Sequence, residues 1–131
     1  MIFLDTAAAY ALADRDDEMH DAALRMFDAT RENGEEIITH NYVLVESAAL
    51  MHKRLGLEVA LAFLREARSF ETVWADEDLH NGAVKLMARR KPSGLSLVDA
   101  LSFLVMREKG IEEFLGFDRH FEDAGFRRYS G

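Results

Sequence analysis

The sequence predicts an α/β fold of three layers, α/β/α, in which helices flank a central, mostly parallel sheet. Two observations carry the prediction. Short apolar runs alternate with helical patterns along the chain, which is the signature of βαβ units and a parallel sheet. The first run, Met1 to Leu4 of "MIFLD", is apolar at every position, as a strand buried on both faces requires. The chain has 131 residues, 49% of them hydrophobic, so it can bury a sizeable core, and a single domain over residues 1–131 is expected.

The elements follow in order. A strand over Ile2 to Asp5 leads into a short helix from about Thr6. A helix from Asp17 to Glu32 puts Met19, Ala23, Met26 and Phe27 on one face. "ENGEE" is a turn, and Glu36 to Thr39 a short strand. The helix from Asn41 to Arg54 stops at Gly56, a favoured residue just past a helix end. "LEVALAFLREAR" is the next helix. It is apolar almost all round in "LEVALAFL", so burial on every side is expected, within the fold or by a partner. "FETVWA" has the β-branched and aromatic content of a strand. Asp76 to Arg90 is helical, and the only proline, Pro92, marks a loop. Ser96 to Lys109 is a helix ending at Gly110. "EFLGFD" is a buried-type strand, a short turn or helix follows, and "FRRY" is the last strand.

Composition narrows the function. Hydrophobic residues make up 49% and charged residues 31%, a balance that argues against a disordered chain. There is no cysteine, so neither disulfides nor thiolate chemistry operate. The first apolar run follows no Lys or Arg and is cut short by an acid, unlike a signal peptide. No apolar stretch approaches the ~20 residues that span a bilayer, and a cytosolic protein is expected. The formal net charge of −8 opposes non-specific binding to a polyanion. Clustered basic residues in "ARRK" (Ala88 to Lys91) and "FRRY" (Phe126 to Tyr129) soften that objection, as do acids whose charge a metal would neutralise.

Four carboxylates stand in awkward places. Asp5 and Asp118 each end an apolar strand, and in parallel strands both emerge at the same sheet edge, where such folds bind ligands. Glu46 has Tyr42, Val43, Ala49 and Leu50 as helical neighbours, inside an apolar stripe that should pack inward. Asp99 lies three residues after Ser96, the spacing of a capping box. Each has an ordinary alternative: helix capping for the aspartates, a side chain reaching out to water for Glu46. Converging, the four would repel and raise one another's pKa values, and only cations make that arrangement stable. Oxygen-only ligands at an open site suit Mg²⁺ or Mn²⁺ better than Zn²⁺.

In "FLDTAA", "NYVLVESAAL", "LSLVDALSF" and "GFDRHFEDAGF" the chain resembles the PIN-domain family, specifically the VapC-like ribonuclease toxins of type II toxin–antitoxin systems. The resemblance covers essentially the whole chain and places the family's acidic positions on Asp5, Glu46, Asp99 and Asp118. Asp123 is a nearby alternative to the last of these. The resemblance implies a PIN-like α/β/α domain and a metal-dependent endoribonuclease, with one or two Mg²⁺ or Mn²⁺ held by these acids and a metal-activated water attacking the phosphodiester. Which acid binds metal and which orients the water stays open. Thr6 and Ser96 are read as orienting the ligands, with plain helix capping as the alternative. Arg89, Arg90, Lys91 and Arg119, with His120, are candidates for positioning RNA, against the alternative of solvated surface charge. The resemblance also implies a homodimer and a VapB-like antitoxin whose C-terminal segment lies over the site.

Other chemistries fit less well. The five histidines show no zinc-ligand spacing, and there is neither a nucleophile elbow nor a P-loop. A receiver-like signalling domain would pair acids at the first strand and place a Lys where Arg119 stands. A phosphatase with a D-x-D nucleophile fails because Ala7 fills the second acidic position. A non-catalytic PIN-like scaffold that binds a protein partner is the remaining alternative.

Overall fold

The computed structural model describes residues 1–90 and 94–131; the loop around Pro92 and Lys91 lies outside them. One five-stranded sheet is built from β1 (Ile2–Leu4), β2 (Ile37–His40), β3 (Glu71–Val73), β4 (Glu113–Leu115) and β5 (Arg127–Arg128). The strand order is β3-β2-β1-β4-β5, and every pairing is parallel. Phe3 is in register with Ile38 on one side and Phe114 on the other. The chain steps outward from β1 through β2 to β3, then returns to β4 on the opposite side of β1. The order therefore reverses between β1 and β4, and ligands of open α/β sheets bind at such a switch point.

Alternation along each strand supplies both layers. Ile2, Leu4, Ile37 and Leu115 face one core, closed by α1 (Thr6–Ala13), α2 (His20–Glu32), α3 (Asn41–Leu55) and α4 (Leu57–Glu66) through Ala8, Tyr10, Phe27, Met51 and Ala60. Phe3, Ile38 and Phe114 face the other. There α5 (Glu77–Arg89), α6 (Leu97–Lys109) and α7 (Arg119–Asp123) contribute Leu86, Leu101, Phe103, Met106 and Phe121. Each such side chain contributes about 1.5–3 kcal/mol when fully buried. Phe121 is fully buried; it stacks on Phe114 at 4.7 Å and meets Phe103 edge-on at 5.0 Å. That anchor fixes α7, a helix of only five residues, and with it the side chains at its start.

Several expectations change. β1 stops at Leu4, and Asp5 takes the N-cap position of α1. β4 stops at Leu115, so Gly116, Phe117 and Asp118 form an irregular connection rather than a strand. The strand in "FETVWA" is only Glu71–Val73, and Trp74 after it is 70% exposed. α2 starts at His20, not Asp17, because Asp14 and Asp17 turn the chain by accepting the backbone N–H of Asp16 and Met19. The helix "LEVALAFLREAR" ends at Glu66 and tightens into a 3-10 turn over Ala67–Ser69. It is not buried on every side within the fold. Ala60 is buried and Val59 and Phe63 rest on the core, while Leu57, Leu61 and Leu64 are exposed. The inward stripe of α3 is Val43, Ser47 and Met51, four residues apart, so Glu46 lies beside that stripe, half-buried, and not within it. The arginines of "FRRY" are occupied: Arg127 pairs with Glu112 at 3.2 Å, and Arg128 pairs with Glu122 at 3.0 Å and lies over the Phe117 ring.

Candidate active site

The site lies at the carboxyl edge of β1 and β4. Asp5 follows β1 directly, and its backbone N–H donates to the Leu115 carbonyl at 3.0 Å, so β4 holds it in place. Gly116 is needed beside it. A Cβ at Gly116 would sit 3.2 Å from the Asp5 Cβ and 3.1 Å from the Phe114 ring, closer than nearly all real Cβ contacts, so any larger residue would push Asp5 or Phe114 aside by a few tenths of an ångström. Asp5 stands at an N-cap, yet its side chain makes no capping hydrogen bond, which removes the ordinary explanation for this acid.

Asp99 arrives on the first turn of α6, which begins where sequence analysis expects it. Ser96 is the N-cap, and its hydroxyl accepts the Asp99 N–H at 3.1 Å. Asp118 caps α7 by accepting the His120 N–H at 2.9 Å, so for this acid the capping role is real. Glu46 comes from α3 and reaches the same place from the site's margin.

The electrostatics tie the four together. Burial, reinforced by the charges of Asp99, Asp118 and Glu46, pushes the Asp5 carboxyl up to about 8; the Thr6 N–H beside it opposes the rise only in part. Asp99 is pushed up to about 6, first by burial and then by Asp118, with the Ser96 hydroxyl and His120 pulling it down. Asp5 is 5% exposed, and among the described residues no Lys or Arg forms an ion pair with any of the four acids.

Sequence analysis ranks His120 only as a contact for RNA. In the structure its ring sits inside the acidic cluster, with Nδ1 3.1 Å from Asp118 Oδ1 and 4.0 Å from Asp99 Oδ2. The signal was present, since His120 lies two residues past Asp118. The missing fact was the fold contact between the start of α7 and the first turn of α6. Thr6 is buried, and its Oγ1 has no hydrogen-bond partner among the described residues. Carboxylates, one imidazole and an orphaned hydroxyl form a donor set that fits a divalent cation. Asp99, Asp118 and His120 offer ligand atoms within 4.8 Å of one another. Asp123, at the end of α7, is not one of these ligands.

Of the basic candidates, Arg119 follows Asp118 directly at the start of α7. Arg89 and Arg119 are exposed and Arg90 is half-buried. α5 ends at Arg89, only a short connection before the first turn of α6 that carries Asp99. Lys91 lies outside the described residues. A cavity of about 650 Å³ elsewhere, lined by Leu24, Phe27, Ile37, Phe63 and Phe70 between α2 and α4, contains none of the four acids.

A profile of the PIN domain matches residues 2–127. The 23S rRNA-specific endonuclease VapC20 of Mycobacterium tuberculosis, from strains CDC 1551 / Oshkosh and ATCC 25618 / H37Rv, is 35% identical to this chain over 128 residues, covering 96% of the chain and 95% of the relative. The crystal structure of Mycobacterium tuberculosis VapC20, described as a sarcin–ricin-loop-cleaving toxin, matches with a TM-score of 0.87 and 33% identity over 96% of both chains.

Proposed function

The chain belongs to the PIN domain family, and from that premise we propose that it is a metal-dependent endoribonuclease, the toxin of a toxin–antitoxin pair. The observation that carries this reading is Asp5: a buried carboxylate with no capping hydrogen bond and, among the described residues, no ion pair to a Lys or Arg, facing three further acids at the switch point of the sheet. Asp5, Glu46, Asp99 and Asp118 hold one or two Mg²⁺ or Mn²⁺. Bound by these residues, such an ion would supply Lewis acidity toward a water and toward the phosphate oxygens.

The chain's own residues do the rest. Asp5 and Asp99 are the more buried acids and serve as ligands; Glu46 and Asp118, more exposed, orient the attacking water or complete the ligand set. Ser96 fixes the helix start that aims Asp99, and Thr6 supplies a hydroxyl beside Asp5. Arg89, Arg90, Lys91 and Arg119 position the RNA phosphates. The functional unit is a single domain over residues 1–131, acting in the cytosol as a homodimer and restrained by a VapB-like antitoxin. No helix among the described residues is long and apolar enough to cross a membrane.

Identity over nearly the full length of VapC20 supports 23S rRNA as the substrate. The test is to incubate the purified chain with 23S rRNA, with Mg²⁺ or Mn²⁺ and with EDTA, and to map ends by primer extension. One discrete metal-dependent cut, absent with Asp5→Asn, is the expected result. Intact rRNA throughout would favour the scaffold reading.

A further inference from the structure

Resting on the metal-dependent reading above, we propose that His120 is itself a metal ligand. Its Nδ1 joins Asp99 and Asp118 in a mixed nitrogen–oxygen site, and that nitrogen makes the site prefer Mn²⁺ to Mg²⁺.

The argument begins with spacing. Ligand atoms at right angles around an ion bound at ~2.1 Å lie about 3.0 Å apart, and opposed ligands lie about 4.2 Å apart. His120 Nδ1 is 3.1 Å from Asp118 Oδ1 and 4.0 Å from Asp99 Oδ2, so the nitrogen already stands at coordination distances from both acids, and the three residues offer ligand atoms within 4.8 Å of one another.

The ring is held for this task. Phe121, next in the chain, is fully buried among Phe3, Phe103 and Phe114, so α7 cannot turn freely. Asp118 Oδ1 accepts the His120 backbone N–H, which locks two of the three donors in one turn. The His120 side chain is 38% exposed, yet its Nδ1 is closed off from solvent, so it is this nitrogen that faces inward.

A second, independent observation points to a cation here. Asp5 is 5% exposed, makes no capping hydrogen bond, and has no ion pair among the described residues, although it faces Asp99 and Asp118. Selectivity follows from ligand chemistry. Mg²⁺ favours oxygen ligands and retains water, whereas imidazole suits the transition metals.

The test uses the full chain loaded with Mn²⁺, read by electron spin-echo envelope modulation and by calorimetry. Wild type is expected to show nitrogen modulation from one imidazole. His120→Gln is expected to lose it, with Mn²⁺ affinity falling at least ~10-fold and Mg²⁺ affinity changing less than ~3-fold. His120→Asp, which restores an oxygen donor, is expected to bind both ions without the nitrogen signal and with a reduced preference for Mn²⁺. Mn²⁺ bound in an Asp5-dependent way but without nitrogen modulation, or with modulation that persists in His120→Gln, would overturn the role of His120 and leave the nuclease reading standing. No Mn²⁺ binding to the wild type would overturn both. Circular dichroism of each variant separates lost ligation from lost folding.

Discussion

At Asp5, burial and charge oppose each other most strongly. Its folded pKa of about 8 stands above the ordinary 3.8, so between those values the folded metal-free protein holds a proton that the unfolded chain releases. The contribution of Asp5 to the stability of the metal-free protein is therefore expected to be fully present below about pH 4 and to be lost progressively as pH rises to about 8. Urea unfolding in EDTA checks the slope; Asp5→Asn should flatten it, and saturating Mn²⁺ should remove it in the wild type. Gly116 sets the other constraint. Gly116→Ala forces a Cβ against Asp5 and the Phe114 ring, at an expected ~1–3 kcal/mol of stability, with weaker Mn²⁺ binding by calorimetry. Asp5 was legible in the sequence because an acid interrupts an apolar run. Gly116 and the inward face of His120 were not, because both depend on contacts between segments far apart in sequence.

Helix starts carry most of the site, and two of them make separate predictions. Ser96 accepts the Asp99 N–H, so Ser96→Ala should cost about 1 kcal/mol and weaken metal binding by loosening Asp99, as thermal unfolding and calorimetry would show. His40 caps α3 and is wholly buried. Nδ1 accepts the Val43 N–H, Nε2 donates to the Ser102 hydroxyl, and that hydroxyl donates to the Val98 carbonyl, so the ring is neutral with its proton on Nε2. Burial lowers its pKa from 6.5 to about 4. The stability it supports is present above pH 6.5 and lost as pH falls toward 4, roughly 3 kcal/mol at 1.36 kcal/mol per pH unit. Comparing acid unfolding of wild type and His40→Gln isolates it, since the variant should lack that interval of the slope. Periodicity read the element types and the Ser96, Gly56 and Gly110 boundaries correctly, because caps are local chemistry. It overran β1, β3 and β4, since pairing partners, not apolar runs, decide where a strand ends. It misplaced Glu46 by one helical position, because a stripe's edge is set by what packs on it.

The reversal of strand order between β1 and β4 explains why the acids meet where they do: the strands flanking the switch deliver Asp5 and, through Gly116, Asp118, while α6 and α3 close the site with Asp99 and Glu46. Under the proposed reading, part of the net charge of −8 belongs to the acids that hold a cation, and Arg89 and Arg90 are proposed to contact RNA. Arg89→Ala with Arg90→Ala should weaken RNA binding and reduce the salt slope by about 1.4, two contacts at roughly 0.7 each for a single strand; filter binding at several salt concentrations measures it. On the proposed reading, the buried acids at this sheet edge exist to hold a divalent cation. Calorimetric titration of Mn²⁺ into wild type and Asp5→Asn tests it most directly. Saturable binding to the wild type and a loss of at least ~100-fold in the variant are expected. Equal binding by both, or none by the wild type, would contradict it.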